Sequence, residues 1–475
     1  WRDDTFAVFG GAAGDVKIDT HFTPTVNGMQ FMTDGYRLEG GAITLAGQGD
    51  QLIIVGDGSL DSTNTKAEIK SQILGNNGLY KSGLGNLILT GDNAYTGTTT
   101  VAQGLLTLGE GGSIDAGSDI VLTSTRYGNG NLAIDKSGTF TLSNQISGVG
   151  EVFQRGVGTT TFAGDNSFSG GLTIEKGTAK AGIADHAFGS GAISIKKDAK
   201  LDLADFNETV GGLMGSKSDD GDISLGAGTL TLNQDLHGDY SGIISGTGGL
   251  VKNGAGDLVL HGANSYSGTT TINQGELIQG DAGALSETSA YSVADGAGID
   301  LGGFATTMSS LSNSGNVVFG GNGGTVLSIA GDYTGNGGTL NMSTVLGSDS
   351  SQTDLLAVKG NTAGMTTLNV TNRGGLGAQT INGIKVVDVG GQSNGVFTLN
   401  GDYVTKDGQQ AIMTSSAYAY TLQKNSAAHP SDGNWYLVSQ NTKPAPVNPT
   451  DPTDPTNPTN PTDPTNPTGP TNPSG

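Results

Sequence analysis

One sequence pattern occurs three times in this chain without gaps, and this repeat constrains the fold more than any other feature. The copies begin at Gly78, Glu151 and Gly249 and read GLYKSGLGNLILTGDNAYTGTTTVAQGLLTLG, EVFQRGVGTTTFAGDNSFSGGLTIEKGTAKAG and GLVKNGAGDLVLHGANSYSGTTTINQGELIQG. Glycine, asparagine and an aromatic residue recur at matched positions: Gly83, Gly156 and Gly254; Gly91, Gly164 and Gly262; Asn93, Asn166 and Asn264; Tyr95, Phe168 and Tyr266. Such a repeat predicts stacked units that share one continuous core.

Short runs between the glycines alternate polar and apolar residues, as in Asn86–Leu89 and Asp257–Leu260. Alternation with a period of two is typical of a strand with one buried face, and glycine and asparagine suit tight corners. The copies lie 73 and 98 residues apart, which is close to three and four coils of about 24 residues. The sequence therefore predicts an all-β chain that folds as a right-handed parallel β-helix.

Composition and charge narrow the classes of function. Glycine supplies 82 of 475 residues without a Gly-X-Y period, so the glycines are expected in turns. The net charge of −22 disfavours nucleic acid as a partner, because phosphates need clustered Lys and Arg. There is no cysteine, which excludes disulfides and zinc thiolates. No apolar run is long enough for a membrane-spanning helix, so this part is not expected to insert into a membrane.

The residue pattern of the sequence changes twice along the chain. Residues 1–330 are predicted to form the β-helical coils, and residues 331–440, which contain longer β runs, are predicted to form a C-terminal cap. Residues 441–475 are predicted to be a disordered linker, since 11 of the 13 prolines lie between Pro444 and Pro473. Their spacing of three is the polyproline II period.

The threefold repeat resembles the passenger-associated repeat of bacterial autotransporters. The segment from Gly331 to Asn361 resembles the pertactin-like, autochaperone region of the same family, and Gly28–Phe31 resembles a rung of AIDA-type adhesins. The resemblance implies a β-helix at the bacterial cell surface, secreted by the type V route and either tethered to the outer membrane or released. It also implies a β-barrel translocator as a partner outside this chain, and a longer passenger in front of Trp1.

The sequence predicts no catalytic, cofactor-binding or metal-binding residue. Gly391–Gly395 has the Gly-x-Ser-x-Gly pattern of a nucleophile elbow, but a strand follows it instead of a helix. The histidines lack metal-ligand spacing: His21, His186, His237, His261 and His429. The arginines are scattered in sequence, although solenoid folding can bring some together: Arg2, Arg37, Arg126, Arg155 and Arg373. The sequence does not specify the ligand-binding residues.

The function favoured by the sequence is that of a non-enzymatic adhesin or self-association factor, active in aggregation or biofilm formation. Its expected partners are host-cell or matrix glycans and proteins, or the same protein on neighbouring cells. One alternative is a structural stalk and secretion module that presents a head in front of Trp1; the least favoured is a β-helical polysaccharide-degrading enzyme. Thr98–Thr100 and Thr269–Thr271 are expected to contribute to outward polar ladders, and the sequence leaves open whether the middle or the flanking threonines face outward.

Overall fold

In a computed structural model that describes residues 2–442, the alternating runs form strands that stack into a parallel β-solenoid of about 15 turns. Within this range the only helix is the 3₁₀ segment Leu60–Asn64, and no helix has the length and hydropathy of a membrane span. The predictions of an all-β class and a parallel solenoid are confirmed. Almost all of the predicted linker, from residue 443 onward, lies outside the described residues.

The strands of the first half follow in chain order: β1 Thr5–Phe9, β2 Asp15–Ile18, β3 Thr25–Phe31, β4 Tyr36–Gly40, β5 Ile43–Leu45, β6 Gln51–Val55, β7 Lys66–Ile69, β8 Ile73–Leu74, β9 Leu79–Ser82, β10 Asn86–Leu89, β11 Thr99–Val101, β12 Gly104–Leu108, β13 Ile120–Leu122, β14 Ser124–Thr125, β15 Gly128–Ile134, β16 Thr139–Leu142, β17 Ile146–Gly148, β18 Val152–Gln154, β19 Thr159–Phe162, β20 Leu172–Ile174, β21 Thr178–Ala181, β22 Ile193–Ile195, β23 Lys200–Asp202 and β24 Glu208–Val210.

The strands of the second half are β25 Asp222–Ser224, β26 Leu230–Asn233, β27 Gly238–Tyr240, β28 Ile244–Ser245, β29 Leu250–Asn253, β30 Leu258–Leu260, β31 Thr270–Ile272, β32 Glu276–Gln279, β33 Ala290–Val293, β34 Gly298–Asp300, β35 Thr306–Met308, β36 Ser310–Asn313, β37 Asn316–Val318, β38 Val326–Ile329, β39 Tyr333–Thr344, β40 Leu355–Val358, β41 Thr362–Asn372, β42 Ile384–Val389, β43 Val396–Asn400, β44 Tyr403–Val404, β45 Gln410–Met413, β46 Tyr418–Lys424 and β47 Trp435–Asn441.

Strand register shows that one coil is shorter than the repeat spacing suggested. Leu230 pairs with Leu250, and Leu250 pairs with Thr270, so that one coil here takes 20 residues. The predicted coil of about 24 residues is therefore wrong for these turns. The error arose because the copies do not repeat on the same face of the solenoid.

The second copy of the repeat is rotated by one face. Leu79 of the first copy lies in the nine-stranded sheet, where it pairs with Thr99. Val152, its match in the second copy, lies in the ten-stranded sheet and pairs with Leu132. The repeat therefore tolerates a change of face, since each face has the same requirement for a buried apolar row.

The core runs along the solenoid axis as stacked apolar rows. In β10, Leu87 and Leu89 are fully buried, whereas Asn86 and Ile88 point outward and are half-buried. Leu87 pairs with Ala67 on one side and with Leu106 on the other, and both of those residues are buried. A coil on its own would leave this row in water, so each coil depends on its neighbours for stability.

Parallel pairing continues without a break across residue 330 and through β43. Leu311 pairs with Tyr333, and Tyr333 pairs with Thr362 in the longest strand pair of the solenoid. Antiparallel pairing then takes over, with β47 covering the free edge of β42 and β44 to β46 extending the sheet. The Phe397 ring contacts Tyr333 and Trp435, with centroids 6.0 and 5.5 Å away, and this stack closes the end of the core.

Candidate binding surface

The outer surface is built from residues that alternate with the buried rows. Thr99 and Thr270 are fully buried, whereas the threonines on either side of each point outward. In both runs, therefore, the flanking threonines face outward and the middle threonine faces the core. Outward residues of successive coils stack at about 4.8 Å, so they form ladders along the solenoid.

Asparagine ladders are a feature that the sequence analysis missed. Asn316, Asn341, Asn369 and Asn400 form one such ladder, with side-chain amide hydrogen bonds of 2.9, 3.0 and 2.9 Å between successive members. A second ladder joins the side chains of Asn233, Asn253 and Asn273. In the sequence, each ladder corresponds to an Asn at the same outward position of successive coils. These positions can be matched only once the strand register is known.

Inside the solenoid, a buried lysine caps a glycine corner. The Lys81 ammonium donates hydrogen bonds of 2.6, 2.5 and 2.9 Å to the carbonyl oxygens of Gly83, Gly85 and Gln103. Burial lowers the pKa of Lys81 to about 7. A Cβ on Gly104 would come within 2.7 Å of this ammonium, and Gly104 has a φ of +69°, so a glycine is required there.

A groove of about 600 Å³ lies on the outer face of the ten-stranded sheet. Its floor includes Asn86, Ile88 and Thr107, and its two ends carry Lys66 and Lys176. Thr107 donates a 2.8 Å hydrogen bond to Asn86 on the floor. The groove is therefore open and polar, and it follows the long axis of the molecule across several coils.

Most charged groups that border this groove are paired. Glu68 accepts a 2.9 Å bond from Arg37 and a 2.7 Å bond from Thr90, and Glu110 accepts bonds from the backbone and hydroxyl of Ser137. Backbone bonding from Ser137 is the main reason that the pKa of Glu110 is lowered. These contacts hold the walls in a fixed arrangement.

Near the Lys176 end of the groove, Arg155 is held by two contacts. Its guanidinium lies 3.3 Å from Glu175 and 4.7 Å from the centre of the Phe153 ring. Solenoid folding thus brings Arg37 and Arg155, which are far apart in sequence, onto the same sheet. The structure places the other three elsewhere: Arg2 is exposed before β1, Arg126 stacks on exposed Tyr127 in the β14–β15 hairpin, and Arg373 bonds Ser343.

Ser393, the serine of the elbow-like motif, donates its hydroxyl proton to the carbonyl oxygen of Gly433 at 2.6 Å and precedes strand β43. It therefore lies in the strand context that the sequence predicted.

His261 lies between Asp239 and Asp281, at 2.8 Å from each. In residues 2–442, no group of three or more His, Asp or Glu side chains is arranged to hold a metal ion.

Comparison with known proteins agrees with this architecture. The Autochaperone Domain Type 1 family matches residues 306–422, and the Passenger-associated-transport-repeat family matches residues 79–108, 153–178 and 250–278. The chain is 35% identical over 452 residues to the adhesin BmaC autotransporter of Brucella suis, covering 94% of this chain and 11% of the relative. It is also 38% identical over 109 residues to the autotransporter adhesin AIDA-I of Escherichia coli, covering 23% of this chain and 8% of the relative.

A parallel β-solenoid with passenger repeats and a terminal autochaperone domain defines the passenger class of surface proteins. The chain belongs to the autotransporter passengers, which lie at the cell surface, tethered to the outer membrane or secreted. It spans about a tenth of the length of the Brucella relative. The resemblance predicted from the repeat and from the segment after Gly331 is confirmed.

Proposed function

We propose that this chain is an adhesive part of an autotransporter passenger and that it binds cell or matrix surfaces without catalysing a reaction. The observation that supports this most is the continuous outer face, on which polar ladders and a charged groove run along the stacked coils. A long regular face allows many weak contacts at once, and many copies on one cell convert them into firm attachment. Two relatives carry the name adhesin, which agrees with this proposal.

The partners that this surface suits are polar. Its exposed large apolar residues are scattered, and Trp435 is buried, so it offers few aromatic anchors for a deep protein interface. Host-cell or matrix glycans and hydrophilic protein surfaces are the expected targets. In the full-length protein, a β-barrel translocator would tether the passenger to the outer membrane.

Self-association is the second candidate, and the asparagine ladders favour it. Each amide in the Asn316–Asn400 ladder bonds along the axis and retains further hydrogen-bonding capacity for a ladder on a facing molecule. The net charge of −22 opposes such an approach, and salt relieves this repulsion. Aggregation through this face should therefore increase from low to moderate ionic strength.

The test is to display the chain on a non-adhesive bacterial strain and to measure attachment to cultured cells and matrix-coated plates, together with settling at two salt concentrations. Attachment or settling above that of cells displaying only the autochaperone region supports the proposal. Equal behaviour of both strains would leave only the role of a stalk. A screen for depolymerised polysaccharide in the same samples tests the enzymatic alternative.

A further inference from the structure

The groove on the ten-stranded sheet has unpaired positive charge at both ends. Lys66 in β7 and Lys176 just after β20 are exposed, and within residues 2–442 their ammonium groups have no hydrogen bond or ion pair. The sheet order runs β7, β10, β12, β15, β18, β20, so five strand steps separate the two lysines. At about 4.8 Å per step, this corresponds to about 24 Å along the groove.

The negative charge that borders the groove is mostly neutralised. Glu68 is paired with Arg37, and the charge of Glu110 is offset by nearby Lys136, which leaves Asp135 as the one lining carboxylate without a partner in the described residues. The groove is therefore locally cationic at its ends, although the whole chain carries a net charge of −22. A ligand with carboxylates spaced far apart suits this pattern, whereas a dense polyanion would meet repulsion from the rest of the surface.

The chemistry of the groove disfavours a peptide. Each strand that forms the floor is hydrogen-bonded on both edges, so no edge is open for an added peptide strand. The apolar lining consists of half-buried Ile88 and exposed Val157, which is too little for the apolar face of a helix. The remaining lining offers amide and hydroxyl groups from Asn86, Thr90 and Ser137, and these match the hydroxyl groups of a sugar chain.

We propose that this groove binds an extended, carboxylated polysaccharide along the solenoid axis. Lys66 and Lys176 each pair with a carboxylate, and sugar hydroxyls between them bond to the polar floor. This inference rests on the proposed adhesive function and gives it a site and a ligand class. Arg155 is already held by Glu175 and Phe153, so it supports the wall, and the two free lysines supply the charge recognition.

The experiment uses the purified full chain and biolayer interferometry with three immobilised probes: hyaluronate, which is carboxylated, dextran, which is neutral, and heparin, which is densely sulfated as well as carboxylated. The proposal expects binding to hyaluronate over dextran and heparin. The double variant Lys66→Gln/Lys176→Gln should bind hyaluronate about tenfold more weakly, because two charge pairs are lost. The double variant Lys217→Gln/Lys406→Gln removes the same charge from exposed turns outside the groove and should change binding less than about twofold.

Equal weakening by both double variants would show a general charge effect and overturn the proposal. Equal binding to dextran, tighter binding to heparin, or no binding to hyaluronate would also overturn it. Thermal denaturation verifies that both variants remain folded. Hyaluronate binding that depends on the groove lysines, without attachment of displaying cells, would reject the adhesive function alone; attachment unaffected by Lys66→Gln/Lys176→Gln would reject the groove alone.

Discussion

The Nζ atom of Lys81 donates a 2.6 Å hydrogen bond to the carbonyl oxygen of Gly83, inside the solenoid and away from any carboxylate partner. Lys252, its match in the third repeat, bonds the carbonyl oxygens of Gly254 and Gln274. In the second repeat the same place is taken by Gln154, whose amide bonds Gly156. The corner therefore needs a long side chain with hydrogen-bond donors more than it needs a charge.

Replacing Lys81 by Gln should lower the free energy of unfolding by less than about 1 kcal/mol, because an amide can cap the same carbonyl groups. Replacing it by Ala should cost about 3 kcal/mol, since three buried or partly buried carbonyl groups lose their donor and a cavity remains. Urea denaturation followed by circular dichroism measures both. Equal losses for Gln and Ala would mean that the corner is not held by these hydrogen bonds.

Lys81 should make the folded chain more stable as the pH rises, whereas a lysine in an ordinary ion pair loses its stabilising effect as the pH rises. Burial lowers the pKa to about 7 in the folded chain, against 10.5 as the ordinary value. The contribution of this group to stability is therefore fully present above pH 10.5 and is lost as the pH falls towards 7. The stability of the wild type relative to Lys81→Gln should rise between pH 7 and pH 10 and should not fall in that range.

Glu208 should make the chain less stable as the pH rises. Its side chain is buried, one carboxyl oxygen has no hydrogen-bond partner, and burial raises the pKa to about 8. The contribution to stability is complete below the ordinary pKa of 4.5 and is lost as the pH approaches 8. Glu208→Gln should therefore be more stable than the wild type at pH 8, by about 1–3 kcal/mol, and the difference should vanish near pH 4.5. Exposed Glu287→Gln is the control, and it should show no such trend.

Three buried side chains are linked by hydrogen bonds between their hydroxyl groups, so their contributions to stability should be coupled. Tyr95 lies 2.8 Å from Thr99, which lies 2.9 Å from Ser118. The second repeat and the segment that follows it place Phe168, Leu172 and Gly191 at the matched positions, which removes all three hydroxyl groups together.

Phe168→Tyr should destabilise the chain by about 2 kcal/mol, because its hydroxyl group would face Leu172 without a partner. In a Leu172→Thr background, Phe168→Tyr should cost less, because the threonine hydroxyl group gives the tyrosine a partner. Denaturation of the wild type, both single variants and the double variant gives the coupling energy, expected to be about 1 kcal/mol. An equal cost of Phe168→Tyr in both backgrounds would show that the hydroxyl pair is not coupled.

We expect the region 331–440 to be the most protected part of the chain in amide hydrogen exchange. The longest strand pair, Tyr333–Thr344 with Thr362–Asn372, lies here, and the antiparallel strands cover its end. Trp435→Ala should remove the contact with Phe397 and lower protection in this region by about 3 kcal/mol. Tyr127→Ala, in an exposed hairpin, is the control. Slower exchange in the first coils of the wild type would contradict this assignment.

Much of the fold could be predicted from local patterns. Alternation in runs such as Asn86–Leu89 fixed which residues face the core, and the glycine and asparagine positions marked the corners. Asn166 shows what could not be predicted: its side chain accepts from the backbone of Ile146, one coil before, and donates to Ala187, one coil after. These partners are about 20 residues away on each side, and the sequence of a single coil does not identify them.

The sequence by itself determined the class of protein, because every coil must bury an apolar row and turn at a small residue, and those requirements are local. The tertiary structure decided the coil length, the rotation of the second repeat and the placement of Lys66 and Lys176 at the two ends of one groove. Those properties depend on register. Register is set by the lengths of the corners summed over many coils, so a few additional residues in one corner change which side chains become neighbours along the entire face.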